Sequence, residues 1–471
     1  MHSNHWSPSR RGLAITVTVL AAMSTLSGGA IAASPEPPPD TRCGDTAYGV
    51  EVDRDGRIVV ASEVGTSLTV AHEDGDVVQV KDLAISRLLP DGSLDVTYGN
   101  GGTTIVDAGG DDEVLDVRLD ADGRALVMGR VNGADDSASV AVLRFDTDGT
   151  LDPTYGTQGM ARIALEPDTF AWAADTHEGG LVLAGRIGSD ANKDYAVMRL
   201  TDAGELDATF GTAGLLRVDR GDADEVFESV AVDATSGAIY AAGSQRTNGI
   251  TEVLRLDAMG KPDATWGEGG WVVPAPHPGA ASRATVLAVD ADSQDVIVAS
   301  DVDRADDSRA IAITRLGEDG TPVMTFGAAG QTIVDLGADI TYVWDGTFQA
   351  DGADPASQAF VIVGTDIDAD FAAGRGFLLR VGMDGGLDAT FGEQGVVRPG
   401  LPTPFGFLAD VEATSGGQLI AVGSAIAGFE AQSSDLLVVA VGPDGRLDTT
   451  FGNGGLVVRD LRGPVCAPDG A

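Results

Sequence analysis

Any chemistry in this chain would have to run through carboxylates. It holds 72 Asp and Glu against five His, of which His72, His177 and His277 are the three beyond residue 32. None stands in a His-Glu-x-x-His pair, and the sequence has no Cys-x-x-Cys, no phosphate-cradling glycine loop ending in Lys-Ser/Thr, and no Gly-x-Ser-x-Gly turn. Acid–base work by paired carboxylates is the chemistry left open. The acids are too numerous for one to be distinguished, so no catalytic or cofactor-binding residue is assigned. Calcium is the single cofactor that a spacing suggests, since Asp146, Asp148 and Asp152 place hard oxygen donors around one Asp-Gly turn. Arg144 occupies the place of the first ligand, however. There it would repel the ion and hold Asp152 itself, so a salt-bridged turn is the preferred reading. Trp172, Trp344 and Phe407 could stack on a sugar ring or pack between structural units. Arg220-Gly221-Asp222, a tripeptide read by some adhesion receptors, needs no explanation beyond composition.

The elements that carry these residues are repeated. Arg87-Leu-Leu-Pro-Asp-Gly-Ser-Leu-Asp-Val-Thr-Tyr-Gly99 recurs as Arg144-Phe-Asp-Thr-Asp-Gly-Thr-Leu-Asp-Pro-Thr-Tyr-Gly156, then again ending at Gly211, Gly267, Gly327, Gly392 and Gly452. The steps between these glycines are 57, 55, 56, 60, 65 and 60 residues, too regular to be accidental. Each unit divides into four apolar segments of β character, as at Val114 to Leu119, Arg124 to Met128, Val140 to Phe145 and Met160 to Leu165. Four strands per unit in seven units is the arithmetic of an all-β, seven-bladed β-propeller. One large ring per unit (Tyr98, Tyr155, Phe210, Trp266, Phe326, Phe391, Phe451) suits packing between blades. Arg87, Arg144, Arg199, Arg255 and Arg380 each precede an Asp by eight residues, which predicts a repeated bridge across the turn. Arg315 breaks the pattern with Val323, and Asp448 follows Ala440.

An Arg followed by Asp-Gly-x-Leu-Asp-x-Thr-Phe-Gly-x-x-Gly at a step near 60 resembles the delta-60 repeat family of bacterial proteins, over about residues 47–460. The resemblance implies a β-propeller and no shared catalytic residues, so no site residue carries over. Pro262 and Pro322 depart from it, standing where Leu is usual.

Residues 1–32 contain no acid and run from Arg10-Arg11 through an apolar stretch to Ala30-Ile31-Ala32, the layout of a cleaved signal peptide. Ser9-Arg10-Arg11-Gly12-Leu13 also resembles a twin-arginine export motif. A secreted, periplasmic or cell-surface location is expected. A Pro-rich leader over 33–42 precedes the propeller at 43–471. Cys43 and Cys466 are the only cysteines, and export predicts a bond between them. The chain opens on three segments of a unit and ends on a fourth. The final strand is therefore expected to complete the N-terminal blade, closing the ring and bringing the two cysteines together.

A net charge of −42 argues against nucleic acid as a partner. With no second long apolar run, no membrane span is expected in the mature chain, which reads as a monomer. The leading functional expectation is a non-catalytic binding module for an extracellular protein or glycan. The alternatives are an exported carboxylate enzyme acting on polysaccharide, for which the insertion at 351–357 is the place to look, and a structural extracellular repeat.

Overall fold

The computed structural model describes residues 44–461, except for 72–76, 133–137, 167–168, 190–191, 222–223, 275–281, 305–307, 350–357, 369–372 and 429–432. Short runs rich in Val, Ile and Leu, broken by Asp-Gly turns, form antiparallel strands throughout. The first sheet holds β1 (Asp45–Val52), β2 (Ile58–Ala71), β3 (Val77–Leu88) and β4 (Thr103–Val106). The second holds β5 (Glu113–Leu119), β6 (Ala125–Asn132), β7 (Ala138–Phe145) and β8 (Met160–Ile163). The third is β9 (Phe170–His177), β10 (Gly180–Ser189), β11 (Asn192–Leu200) and β12 (Leu215–Val218). The fourth is β13 (Glu225–Val232), β14 (Ile239–Gln245), β15 (Ile250–Leu256) and β16 (Trp271–Val272). The fifth is β17 (Ser282–Val289), β18 (Val296–Asp303), β19 (Arg309–Leu316) and β20 (Gln331–Val334). Then come β21 (Ile340–Gln349), β22 (Ala359–Ile367), β23 (Gly374–Gly382) and β24 (Val396–Val397). The last set is β25 (Phe405–Ala413), β26 (Leu419–Gly428), β27 (Ser433–Val441) and β28 (Leu456–Arg459), joined to the preceding one by a single Gly374–Phe405 bridge. This is an all-β architecture of the β-propeller kind.

Every set pairs its strands in chain order, which corrects the expected strand exchange. β28 pairs with β27 (Val439 with Leu456), β4 pairs with β3, and β1 pairs with β2. The reason lies in the repeated turn. In the second unit the Gly159 amide donates to the Tyr155 carbonyl at 3.0 Å and the Arg144 amide to the Gly159 carbonyl at 3.1 Å. The chain is thereby folded back beside its own third strand and does not cross the roughly 10 Å to a neighbouring sheet. The first and last sets meet face to face instead: Val50, Ile58, Val60 and Leu88 pack with Ile420, Val422, Val438 and Phe451 in one buried cluster.

The repeated residues hold neighbouring sets together. All seven recurrent rings are buried. Each motif glycine donates its amide to the carbonyl just before the turn glycine of the next set around: Gly99 to Asp148 (2.7 Å), Gly156 to Ala203 (2.9 Å), Gly211 to Met259 (2.9 Å). Gly267, Gly327 and Gly392 continue the series to Asp319, Asp384 and Asp444, and Gly452 returns to Asp91 of the first set at 2.8 Å. The turns must come this close. Gly149 has φ +83°, and a Cβ there would lie 2.7 Å from the Gly99 nitrogen and the Tyr98 ring.

Candidate functional site

The first strand of each set pairs with its second strand through a bulge at the same place. The extra residue is Tyr48 in β1, Leu115 in β5, Trp172 in β9 and Glu228 in β13, then Thr285, Trp344 and Ala409 in β17, β21 and β25. A bulge leaves one residue out of the ladder and re-aims its side chain. All of these residues are half-buried, and all line one cavity of about 410 Å³ bounded by the seven first strands. Each first strand touches the next, and β25 touches β1. The repeat that makes the turns alike thus produces one position where the seven copies present six different side-chain types.

Three residues further along the same strands is a second tier. On one side it carries Glu412, Glu51, Arg118 and Asp175, and on the other Ala231, Ala288 and Thr347. The wall is therefore charged over half its circumference and small over the rest. Arg118 Nη1 lies 2.7 Å from Asp116 Oδ1 and 3.7 Å from Glu51 Oε1. Burial pushes the Asp116 and Glu412 carboxyls up to about 7, with Arg118 opposing, and raises Glu51 and Asp175 in the same direction. The cavity is thus only partly ionised at neutral pH.

Four of the carboxylates also tie neighbouring strands. Asp116 Oδ2 accepts the Ala174 amide (2.9 Å), Asp175 Oδ2 the Val232 amide (2.7 Å), Asp345 Oδ2 the Val411 amide (3.3 Å) and Asp410 Oδ2 the Val50 amide (2.6 Å). Asp345 and Asp410 face one another: burial and then the Asp345 charge raise Asp410, and burial raises Asp345 as well.

Aromatic groups gather at the bulge level. Tyr48 and Trp344 each lie near Phe407, with ring centroids 6.3 and 6.2 Å away. Trp172 lies beneath the Arg186 and Arg246 guanidiniums at 5.0 and 5.8 Å, and Arg246 is bonded to Glu228 at 2.6 Å. Two of the three rings singled out in the sequence, Trp172 and Trp344, thus line the cavity, and the third, Phe407, packs beside Trp344. The sequence did not reveal the bulges, because a register shift is set by pairing and not by the residue that bulges.

The other candidates lie elsewhere. Asp146, Asp148 and Asp152 share one turn. Asp152 Oδ2 is held by Arg144 at 2.7 and 2.8 Å and its Oδ1 by Thr154, while Asp148 Oδ1 accepts from Thr150. The same Arg–Asp bridge recurs at Arg87–Asp95, Arg199–Asp207, Arg255–Asp263 and Arg380–Asp388, as the eight-residue spacing predicts. His177 is buried 3.3 Å from Arg199 Nη1, and burial followed by that guanidinium keeps it below the ordinary imidazole range. Arg220 is bonded to Glu252 at 2.8 Å and lies over the Trp271 ring. Cys43, Cys466, His72, His277, Asp222 and the 351–357 insertion lie outside the described residues. Among the described residues no helix is long and apolar enough to cross a membrane.

Residues 120–155 match a family described as a domain of unknown function (DUF5122) beta-propeller. No curated protein matches the chain at a significant level. Among solved structures, the chain is similar to Sqt1 from Chaetomium thermophilum at 13% identity, covering 86% of this chain and 99% of that one with a TM-score of 0.46. It is also similar to virginiamycin B lyase from Staphylococcus aureus at 11% identity, covering 82% and 93% with a TM-score of 0.42. The β-propeller domain of the Trilobed protease from Pyrococcus furiosus matches at 9% identity, covering 84% and 93% with a TM-score of 0.42.

Proposed function

We propose that the protein is an exported, seven-bladed β-propeller, closed by packing its first blade on its last, which binds an amine-bearing glycan in the central cavity and performs no catalysis there. The observation that carries this reading is the bulge position: seven equivalent places hold Tyr, Leu, Trp, Glu, Thr, Trp and Ala, whereas the turns that build the frame repeat their residues. Aromatic faces above a half-ring in which Glu412, Glu51 and Asp175 outnumber Arg118 suit a cationic group on a ring-shaped body. The carboxylates engaged with backbone amides serve the frame, which leaves them poorly placed for acid–base work. Export rests on residues 1–32. A Cys43–Cys466 bridge is supported by the Leu461 amide donating to Asp45 Oδ2 at 2.5 Å, since these residues stand five and two positions from the cysteines.

Titration with chitosan oligosaccharides, followed by tryptophan fluorescence, tests the site. Binding to the wild type and at least a tenfold loss in Trp344→Ala are expected; equal affinity in the two would exclude the cavity. The buried Asp345 and Asp410 carboxyls, both raised above the ordinary range, favour a second reading, a carboxylate-dependent hydrolase. Release of reducing ends by the wild type and not by Asp345→Asn would replace the binding reading with that one.

A further inference from the structure

The junction between the first and second sheets carries three carboxylates remote from the cavity. Asp82 on β3, with Asp107 and Asp112 on the loop joining β4 to β5, each bring one oxygen within 4.8 Å of the other two. Asp107 is exposed while Asp82 and Asp112 are buried, so the cluster opens to solvent on one side only. The loop is folded around it. The Asp112 amide donates to the Lys81 carbonyl (3.0 Å), Asp112 Oδ2 accepts the Ala108 amide (2.9 Å), and Asp107 Oδ1 accepts the Gly109 amide (2.9 Å). Asp112 Oδ1 is fully buried and has no hydrogen-bond partner among the described residues. A buried carboxylate oxygen left without a donor is costly. With two further carboxylates in reach, it is a ligand atom of the kind that hard divalent cations take.

The third sheet supplies an internal comparison. Asp194, Asp219 and Glu225 repeat the arrangement, with the Arg220 amide on Glu225 as the Ala108 amide is on Asp112. There Arg217 Nε donates to Asp194 Oδ2. Arg217 faces Ala196 across the β11–β12 pair as Ile105 faces Ala84 across β3–β4, so Ile105 stands at the position the guanidinium occupies in the third unit. The later cluster carries its own cation, and the earlier one has an isoleucine in its place. Arg162, which reaches the loop from β8, donates to the Ala108 carbonyl.

We propose that Asp82, Asp107 and Asp112 bind one divalent cation of the calcium class, and that Arg217 takes the place of such an ion in the third unit. Equilibrium dialysis of the full chain against calcium chloride tests this. Ile105→Arg, a change at a residue 39% exposed, imports the guanidinium without opening the core. Asp112→Asn removes a ligand charge. Each variant, shown to be folded by circular dichroism, is expected to bind one calcium ion fewer per chain than the wild type. A wild type that binds no calcium, or an Ile105→Arg protein that binds as many ions as the wild type, overturns the proposal; the Ile105→Arg result decides it even where Asp112→Asn does not fold.

Discussion

The Val50 amide donates to the Asp410 carboxylate at 2.6 Å across 360 residues of sequence. It belongs to the same series as the Asp116–Ala174, Asp175–Val232 and Asp345–Val411 bonds, and it is the member that joins the last inner strand to the first. A side chain from one inner strand satisfies the backbone of its neighbour where no ladder connects them.

Removing that acceptor strands a buried amide. Asp410→Ala is expected to lower stability by about 1–3 kcal/mol, read as a shift of the urea midpoint with the slope unchanged. Asp410→Asn keeps an oxygen for Val50 and loses less. Equal losses in the two would mean that the bond contributes nothing.

Stability should peak on the acid side of neutrality. Burial raises Glu63, Asp116 and Glu412 to about 7, well above their unfolded values near 4. Between those limits the native state holds protons that the unfolded chain has released, so this contribution is full below about pH 4 and is lost as pH rises through 7. Hydrogen bonds from Thr154, assisted by Arg144, hold Asp152 at about 2, and that contribution is lost as pH falls through 2. Melting temperatures measured from pH 3 to 9 should pass through a maximum at roughly pH 4–6; a maximum above pH 8 would contradict this.

Two glycines with similar backbone angles should respond differently. Gly149 at φ +83° faces the Gly99 nitrogen and the Tyr98 ring at 2.7 Å, while Gly101 at φ +69° has nothing within 4 Å. Gly101→Ala should cost about 1 kcal/mol of conformational strain. Gly149→Ala should cost several times that, because the contact between sets must open as well. Thermal melts of the two variants measure the difference.

If Cys43 and Cys466 are bonded, reductant and Cys43→Ser should lower the melting temperature by the same amount. Closing so long a loop contributes up to about 5 kcal/mol in the chain-entropy model. Peptide mapping without reductant identifies the bond directly, and free thiols in exported protein would refute it.

What could be read from the sequence was what acts over a few residues. The eight-residue Arg–Asp spacing, the buried ring and the Asp-Gly turn each have local causes, and all appear as predicted. The second use of the same arginines was hidden: Arg144 Nη1 donates to the Asp202 carbonyl at 2.6 Å, and Arg87 Nη1 to the Thr147 carbonyl at 2.6 Å, both in the next unit. The bulges were hidden too, since Tyr48, Glu228 and Ala409 share a register shift but no side-chain property. The strand-exchange error had the opposite origin. It was inferred from how segments are counted at the two ends, while the Gly159–Tyr155 turn, a local feature, decides where the fourth segment goes.

Each set is made from four consecutive strands and meets its neighbours through backbone bonds such as Gly452 to Asp91, so the repeat in the sequence and the building block of the structure coincide. One copy of the repeat therefore carries a whole set of strands with both of its docking faces. A circular permutant opened at another loop between sets is expected to retain every strand pairing of the described residues.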